Sequence, residues 1–229
     1  MNWKEMLQKA VELGGSDIFV VPGSYASIKV NKRIVPLDET MLTAEMTERM
    51  VSEVYRFTHR NMGRLSSTKD DDFSFTIQQI GRFRVSAYQQ RGMYAMVLRV
   101  VTFVIPDARK LHIPEAVLSL ADINNGLVLV TGPAGSGKST TLACIVDRIN
   151  EKYEDHIITI EDPIEFVHEH KKSIVSQREI NSDTDSYMTA LRASLRQAPD
   201  VVMLGEMRDY DTIQTALTAS ETGHLVLSS

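Results

Sequence analysis

Apolar residues recur along this chain with two different periods, and the change from one to the other divides it in two. Trp3, Leu7, Ala10 and Val11 stand at helical spacing, which predicts a short amphipathic helix over residues 1–13, stopped by Gly14-Gly15. The run SDIFVVPGSYASIKVNKRIVPL, residues 16–37, reads as short β segments parted by Pro-Gly and Asn-Lys turns. Thr43 is placed to cap a helix reaching about Asn61, with Met46, Met50, Val54 and Phe57 as its apolar stripe. Three more β-like runs, DFSFTI, RFRVSAYQ and YAMVLRVV, lie between residues 72 and 101, with breaks at Gly81 and Gly92. Their partial alternation predicts one face against a core. The first half therefore reads as a β-rich α+β domain over residues 1–103.

Residues 104–114, VIPDARKLHIP, hold two prolines and no periodicity, and read as a linker. Pro114 then suits the first turn of a short helix, PEAVLSLAD. Beyond it strands and helices alternate. GLVLV, HIITI, DVVMLG and HLVLS are short apolar runs; KSTTLACIVDRINEK, SYMTALRASLRQ and YDTIQTALTASET are helical, the last closed by Gly223. Continuous apolar runs between helices predict a parallel sheet covered on both faces, so residues 115–229 read as an α/β domain.

Composition narrows the picture in three places. The 229 residues carry a formal net charge of −5, which argues against a general grip on nucleic acid through a basic face. No segment has the 18 or more apolar residues of a membrane span, and Lys4, Glu5, Lys9 and Glu12 interrupt any signal-peptide core. The single cysteine, Cys144, excludes an internal disulfide and any zinc site built from cysteine pairs. The expectation is a reduced, cytosolic protein that works beside a membrane without entering it.

The chemistry starts at residues 132–140, GPAGSGKST, which match G-x-x-x-x-G-K-[ST]. Gly132, Gly135 and Gly137 allow backbone conformations that turn successive N–H groups toward an anion. Pro133, Ala134, Ser136 and Thr140 complete the loop. A helix starting near Gly137 would present its positive end to the same phosphates. Lys138 would reach the β- and γ-phosphates, and the Ser139 hydroxyl would ligate Mg²⁺. The expected ligands are therefore ATP and Mg²⁺. A glycine-rich turn could match by accident, but this one lies between an apolar strand and an amphipathic helix, as the mechanism requires.

Hydrolysis also needs groups that orient water and hold the metal. Two acidic clusters follow strands, where open α/β sheets place their ligands. IITIEDPIEF supplies Glu161, Asp162 and Glu165, and PDVVMLGEMRD supplies Glu206. Many phosphate-loop enzymes end the second of these strands in an aspartate; here Gly205 stands in that place and Glu206 follows, so its contact with metal could run through water. Each of these carboxylates could also be an ordinary solvated turn residue.

GPAGSGKSTT, ITIEDPIEF, LRASLRQAPDVVMLGEMRD and TALTASETGHLVLS together resemble the type II/IV secretion ATPase superfamily, and most closely its type IV pilus retraction (twitching-motility) branch. SDI near residue 16 and RFRVSAYQQRG at 82–92 extend the likeness more loosely into the N-terminal half. The resemblance implies a PAS-like N-terminal domain, a RecA-like P-loop ATPase domain, a homo-hexameric ring and an inner-membrane pilus platform protein as partner. It implies a place in the cytoplasm at the inner face of the cell membrane. By position, Glu165 matches the catalytic glutamate of the family's aspartate box. Glu206 matches the glutamate of its atypical Walker B strand, and His224 the first histidine of its histidine box. Glu161 is the other candidate base. Arg84 and Arg99, with Arg82 and Arg91 nearby, are candidates for the family's charge-stabilising arginine fingers; arginines on neighbouring β runs could equally be solvated.

Phe19 stands where the family usually has histidine, and Ala134 where threonine is common. Neither change removes a phosphate ligand. Family members continue beyond HLVLSS, so the ATPase domain is expected to be incomplete at its C-terminus, and this fragment to be poorly active. The alternatives are an assembly, type II secretion or competence ATPase of the same superfamily, a nucleotide-sensing module without turnover, and a RecA-like motor on DNA.

Overall fold

In the computed structural model, residues 2–101 and 105–229 are described, and they fall into two compact units, the first ending at Val101. The expected domain edge between residues 103 and 104 lies outside the described residues.

The first unit opens with α1 (Trp3–Glu12), whose start is fixed by a reciprocal cap: the Asn2 side chain accepts from Glu5 N, and the Glu5 carboxylate accepts from Asn2 N. Strands β1 (Asp17–Val20), β2 (Tyr25–Val30) and β3 (Arg33–Met41) follow. Next come helix α2 (Ala44–Phe57), the short helix α3 (Gly63–Thr68), and β4 (Asp70–Ile77), β5 (Gly81–Gln90) and β6 (Met93–Val101). Thr43 does cap α2, accepting from Met46 N at 3.3 Å, but the helix ends at Phe57 rather than near Asn61. The six strands form one antiparallel sheet in the order β3-β2-β1-β6-β5-β4.

Alternation along these strands divides the sheet cleanly. Ile18, Ile28, Phe73, Phe83, Val85 and Leu98 point to one face and are buried against α1 and α2. Arg84 pairs across the ladder with Arg99, and Arg99 with Asp17, so these three share the opposite face. The Arg91-Gly92 turn between β5 and β6 has both residues at positive φ, 51° and 76°, as a tight two-residue hairpin requires.

The second unit begins with turns leading to α4 (Glu115–Leu118) and a 3-10 turn at Ser119–Asp122. Then follow β7 (Gly126–Leu129), α5 (Lys138–Lys152), β8 (His156–Glu161), β9 (Ile174–Glu179), α6 (Tyr187–Ser194), β10 (Val201–Leu204), α7 (Tyr210–Glu221) and β11 (Leu225–Ser228). The sheet is wholly parallel, in the order β7-β11-β10-β8-β9. Its apolar runs do not alternate with polar residues because both faces are covered. Ile157, Val201 and Leu225 join the core that includes Ile145 and Ile149 of α5; their neighbours Ile158, Val202 and Val226 join the core that includes Leu191 of α6 and Ala216 of α7. Strand β9, IVSQRE, was not legible as a strand, because Val175 is its one apolar residue committed to a core. Among the described residues no helix is long and apolar enough to cross a membrane.

Candidate functional site

The loop between β7 and α5 is built by its glycines. Gly135 and Gly137 hold φ at 76° and 94°, conformations that a side chain would strain. Gly137 caps α5, so Lys138, Ser139 and Thr140 occupy its first turn, where backbone N–H groups have no partner within the helix. Lys138 Nζ turns back onto the loop and donates to the carbonyl oxygens of Gly132 at 3.1 Å and Pro133 at 3.3 Å. The ammonium and the first-turn amides of α5 form a donor set suited to phosphate oxygens.

Across from it, a cavity of about 170 Å³ is lined by Lys138, Ser139, Glu161, Asp162, Glu165 and Glu206, among others. Every carboxylate singled out by the sequence therefore reaches one space beside the phosphate loop. Their environments differ sharply. Glu161, at the end of β8, is 7% exposed; its Oε1 accepts from Thr159 Oγ1 at 2.7 Å and Gln177 Nε2 at 3.1 Å. Burial pushes its pKa up from 4.5 to about 7, against those hydrogen bonds and with help from the charge of Glu165. Glu165 and Asp162 are exposed on the turn that follows. Glu206 is half-buried, and its Oε2 receives Arg208 Nε at 2.8 Å.

Two further polar groups line the cavity and were not legible in the sequence. Burial and the carboxylates of Glu206, Asp162 and Glu161 push the Tyr187 hydroxyl well above the ordinary tyrosine range. His168 is buried, which lowers its pKa to about 4, so it is neutral at physiological pH. Gly205, standing where other phosphate-loop enzymes carry aspartate, has a packing reason: a Cβ there would lie 3.0 Å from Tyr187 Oη and 3.4 Å from Glu161 Cα.

His224 is not among the residues lining this cavity; it follows α7, and its Nδ1 lies 3.1 Å from the Ala219 carbonyl oxygen. Arg84 and Arg99 belong to the first unit. Arg99 Nε donates to Asp17 Oδ1 at 2.9 Å. Burial alone would raise the Asp17 pKa, but the bonds from Arg99 and Ser16 outweigh it and hold the carboxyl below its usual range. Arg82 Nη1 donates to Thr76 Oγ1 at 3.3 Å, and Arg91 sits exposed in the β5–β6 turn.

The residues fit Mg²⁺ in one specific way. Among the described residues no cluster of three or more His, Cys, Asp or Glu side chains could cage a metal. Mg²⁺ keeps several waters and uses substrate phosphates with one or two protein oxygens, and Ser139 and Glu206 on one cavity supply that number.

A parallel sheet with a phosphate loop at one end and carboxylates across the cleft defines a phosphate-loop nucleotide-binding protein. The chain belongs to the type II/IV secretion system protein family, whose model matches residues 2–229. It is 43% identical over its whole length to the type IV pilus ATPase PilU of Pseudomonas aeruginosa, covering 59% of that protein. It is 39% identical to the type IV pilus retraction ATPase PilT of the same organism, covering 66%. A solved structure of the pilus retraction motor PilT with bound ADP superposes on the whole chain with a TM-score of 0.89 at 44% identity, over 66% of that chain. The chain thus spans about three-fifths to two-thirds of these relatives. The mixed α/β fold is that of the PilT structure.

Proposed function

We propose that this chain is the nucleotide-binding part of an ATP-hydrolysing motor for type IV pilus retraction. One observation carries the reading: Lys138 and Ser139 of the phosphate loop share a single cavity with Glu161, Asp162, Glu165 and Glu206. In this reading the first unit is the PAS-like domain and the second the RecA-like ATPase core, divided near the residue 104–114 linker. Lys138 and the loop amides hold the phosphates of ATP. Ser139 and Glu206 would hold Mg²⁺, which when bound neutralises phosphate charge. Glu165, exposed beside the buried Glu161, takes the proton of the attacking water; it is open to the water that it must meet, whereas Glu161 is buried and fixed by hydrogen bonds from Thr159 and Gln177.

The likeness to PilU and PilT supports the pilus assignment. The proposal extends, on the family resemblance of its motifs alone, to a homo-hexameric ring, a pilus platform protein as membrane partner and a cytoplasmic position at the inner membrane face. Arg84 and Arg99, paired on the outward face of the first sheet, are the proposed fingers that offset γ-phosphate charge, and His224 a residue of the ring rather than of this cavity. Two measurements test the reading. The full-length protein should release phosphate from ATP only with Mg²⁺ present. A piliated host carrying Lys138→Ala in its own copy of the gene should keep its pili and lose twitching. Normal twitching in that strain refutes the pilus role, and no phosphate release from the wild type refutes the enzyme.

A further inference from the structure

The turn that carries Glu165 has no helix or strand between residues 162 and 173, so its main chain must be fixed from outside. Over residues 164–168 side chains of β8 and β9 do this, and over residues 169–171 the Asn150 amide of α5 does. Glu179 Oε2 accepts from Ile164 N at 3.0 Å, and Glu161 Oε2 accepts from Glu165 N at 3.4 Å. Gln177 grips the turn on both sides of Val167: its Nε2 donates to the Phe166 carbonyl oxygen at 2.9 Å, and its Oε1 accepts from His168 N at 2.7 Å. The same Nε2 donates to Glu161 Oε1 at 3.1 Å. Thr159 and Glu161 face Gln177 and Glu179 across the β8–β9 ladder, so all four share the sheet face that packs on α5. That face is apolar at Ile157 and Val175 and becomes polar where it meets the turn.

We propose that Gln177 is a positioning residue for ATP hydrolysis, coupling the Glu161 carboxylate to the main chain of the turn that presents Glu165 to the phosphate loop. The assignment rests on the ATPase reading above. Only an amide serves here: the site asks one side chain to donate twice and accept once, whereas a carboxylate lacks the donors and a thioether lacks both. Gln177 hydrogen-bonds to Phe166, His168 and Glu161 and is not among the residues lining the cavity, so its loss should disturb placement of the base and not affinity. A displacement of about 1 Å in a catalytic group can cost roughly 10²-fold in rate.

The test uses the full-length protein, measuring phosphate release and the Kd for MgATP. Gln177→Met and Gln177→Glu should lower kcat by roughly 10–100-fold, with Kd unchanged within about threefold of wild type. The exchanged pair Glu161→Gln with Gln177→Glu restores one donor facing one acceptor, and should recover part of the kcat lost in Gln177→Glu alone. A merely structural role would lower kcat and melting temperature together and would gain nothing from the exchange. The assignment is overturned if Gln177→Met turns over within twofold of wild type, if Kd weakens in step with kcat, or if the exchanged pair is no faster than Gln177→Glu. Absence of phosphate release from the wild type instead overturns the hydrolysis reading, and this assignment with it.

Discussion

Lys138 Nζ donates to the carbonyl oxygen of Gly132 at 3.1 Å, so the ammonium at the head of α5 is held by the loop it closes. Bound phosphates would exchange these neutral acceptors for charged ones, and hydrogen bonds to charged groups contribute about 1.5–3 kcal/mol each. Lys138→Ala should therefore weaken nucleotide affinity by roughly 10–100-fold. The fold should survive, because the lysine is half-exposed and packs in no core. Calorimetric titration with ATP and a thermal melt of the same sample check both halves; unchanged affinity would remove Lys138 from the phosphate site.

Glu165 and Glu161 are four residues apart and differ in the property that separates a base from a scaffold. General-base assistance contributes about 10²–10⁴ in rate. Glu165→Gln should lose that factor in kcat while binding ATP as tightly as wild type, since Glu165 makes no contact with the phosphate loop's own hydrogen bonds. Single-turnover phosphate release by the full-length protein measures it. A wild-type rate in this variant would pass the role of base to Glu161.

How much of this was legible beforehand depended on whether the determinants were local. The phosphate loop is read from spacing alone because Gly135 and Gly137 act through their own φ angles. Strands β8, β10 and β11 announce themselves because each is apolar on both faces. Strand β9 does not, since Gln177 and Glu179 find their partners in a turn up to 15 residues away in sequence, a relation that no periodicity contains. Helix α3 was equally silent: it has no side-chain cap, and Leu65 is its one buried residue. The gathering of Glu161, Glu165 and Glu206 followed from their places after parallel strands, but their separation into buried and exposed carboxyls required the fold.

The two buried titratable groups beside the cavity set opposite pH limits on stability. Glu161 has its pKa raised from 4.5 to about 7, so between these values the folded state binds more protons than the unfolded one, and stability falls as pH rises through 7. His168 has its pKa lowered from 6.5 to about 4, so the unfolded state binds more protons in that range, and stability falls as pH drops below 6.5. Each displacement corresponds to about 3 kcal/mol. Glu161→Gln should flatten the alkaline side alone, melting relatively higher than wild type at pH 8 than at pH 5. His168→Gln should flatten the acid side alone. Melting curves from pH 4 to 9 without nucleotide check both; parallel profiles for all three proteins would mean neither group titrates as its burial dictates.

In the first unit, stability depends on a buried polar contact that joins α2 to the sheet. Tyr55 donates its hydroxyl to Asp71 Oδ2 at 2.8 Å, with its ring edge-on to Phe73 at 5.0 Å. Asp71 is 3% exposed, and Arg60 and Arg64 approach its other oxygen only at 3.6 and 3.4 Å, Arg60 also stacking over Phe73. Tyr55→Phe keeps the ring and leaves one carboxylate oxygen without its short donor, which costs about 1–3 kcal/mol. Asp71→Asn keeps an acceptor for Tyr55 but gives up the charge facing two guanidinium groups. Because both arginines are partly exposed, that loss should be the smaller one. Denaturant melts of the two variants and of the double variant give the coupling directly. Additive losses would show that the Tyr55 hydrogen bond does not depend on the charge of Asp71, and a Tyr55→Phe variant as stable as wild type would show that α2 is held to β4 by apolar contact alone.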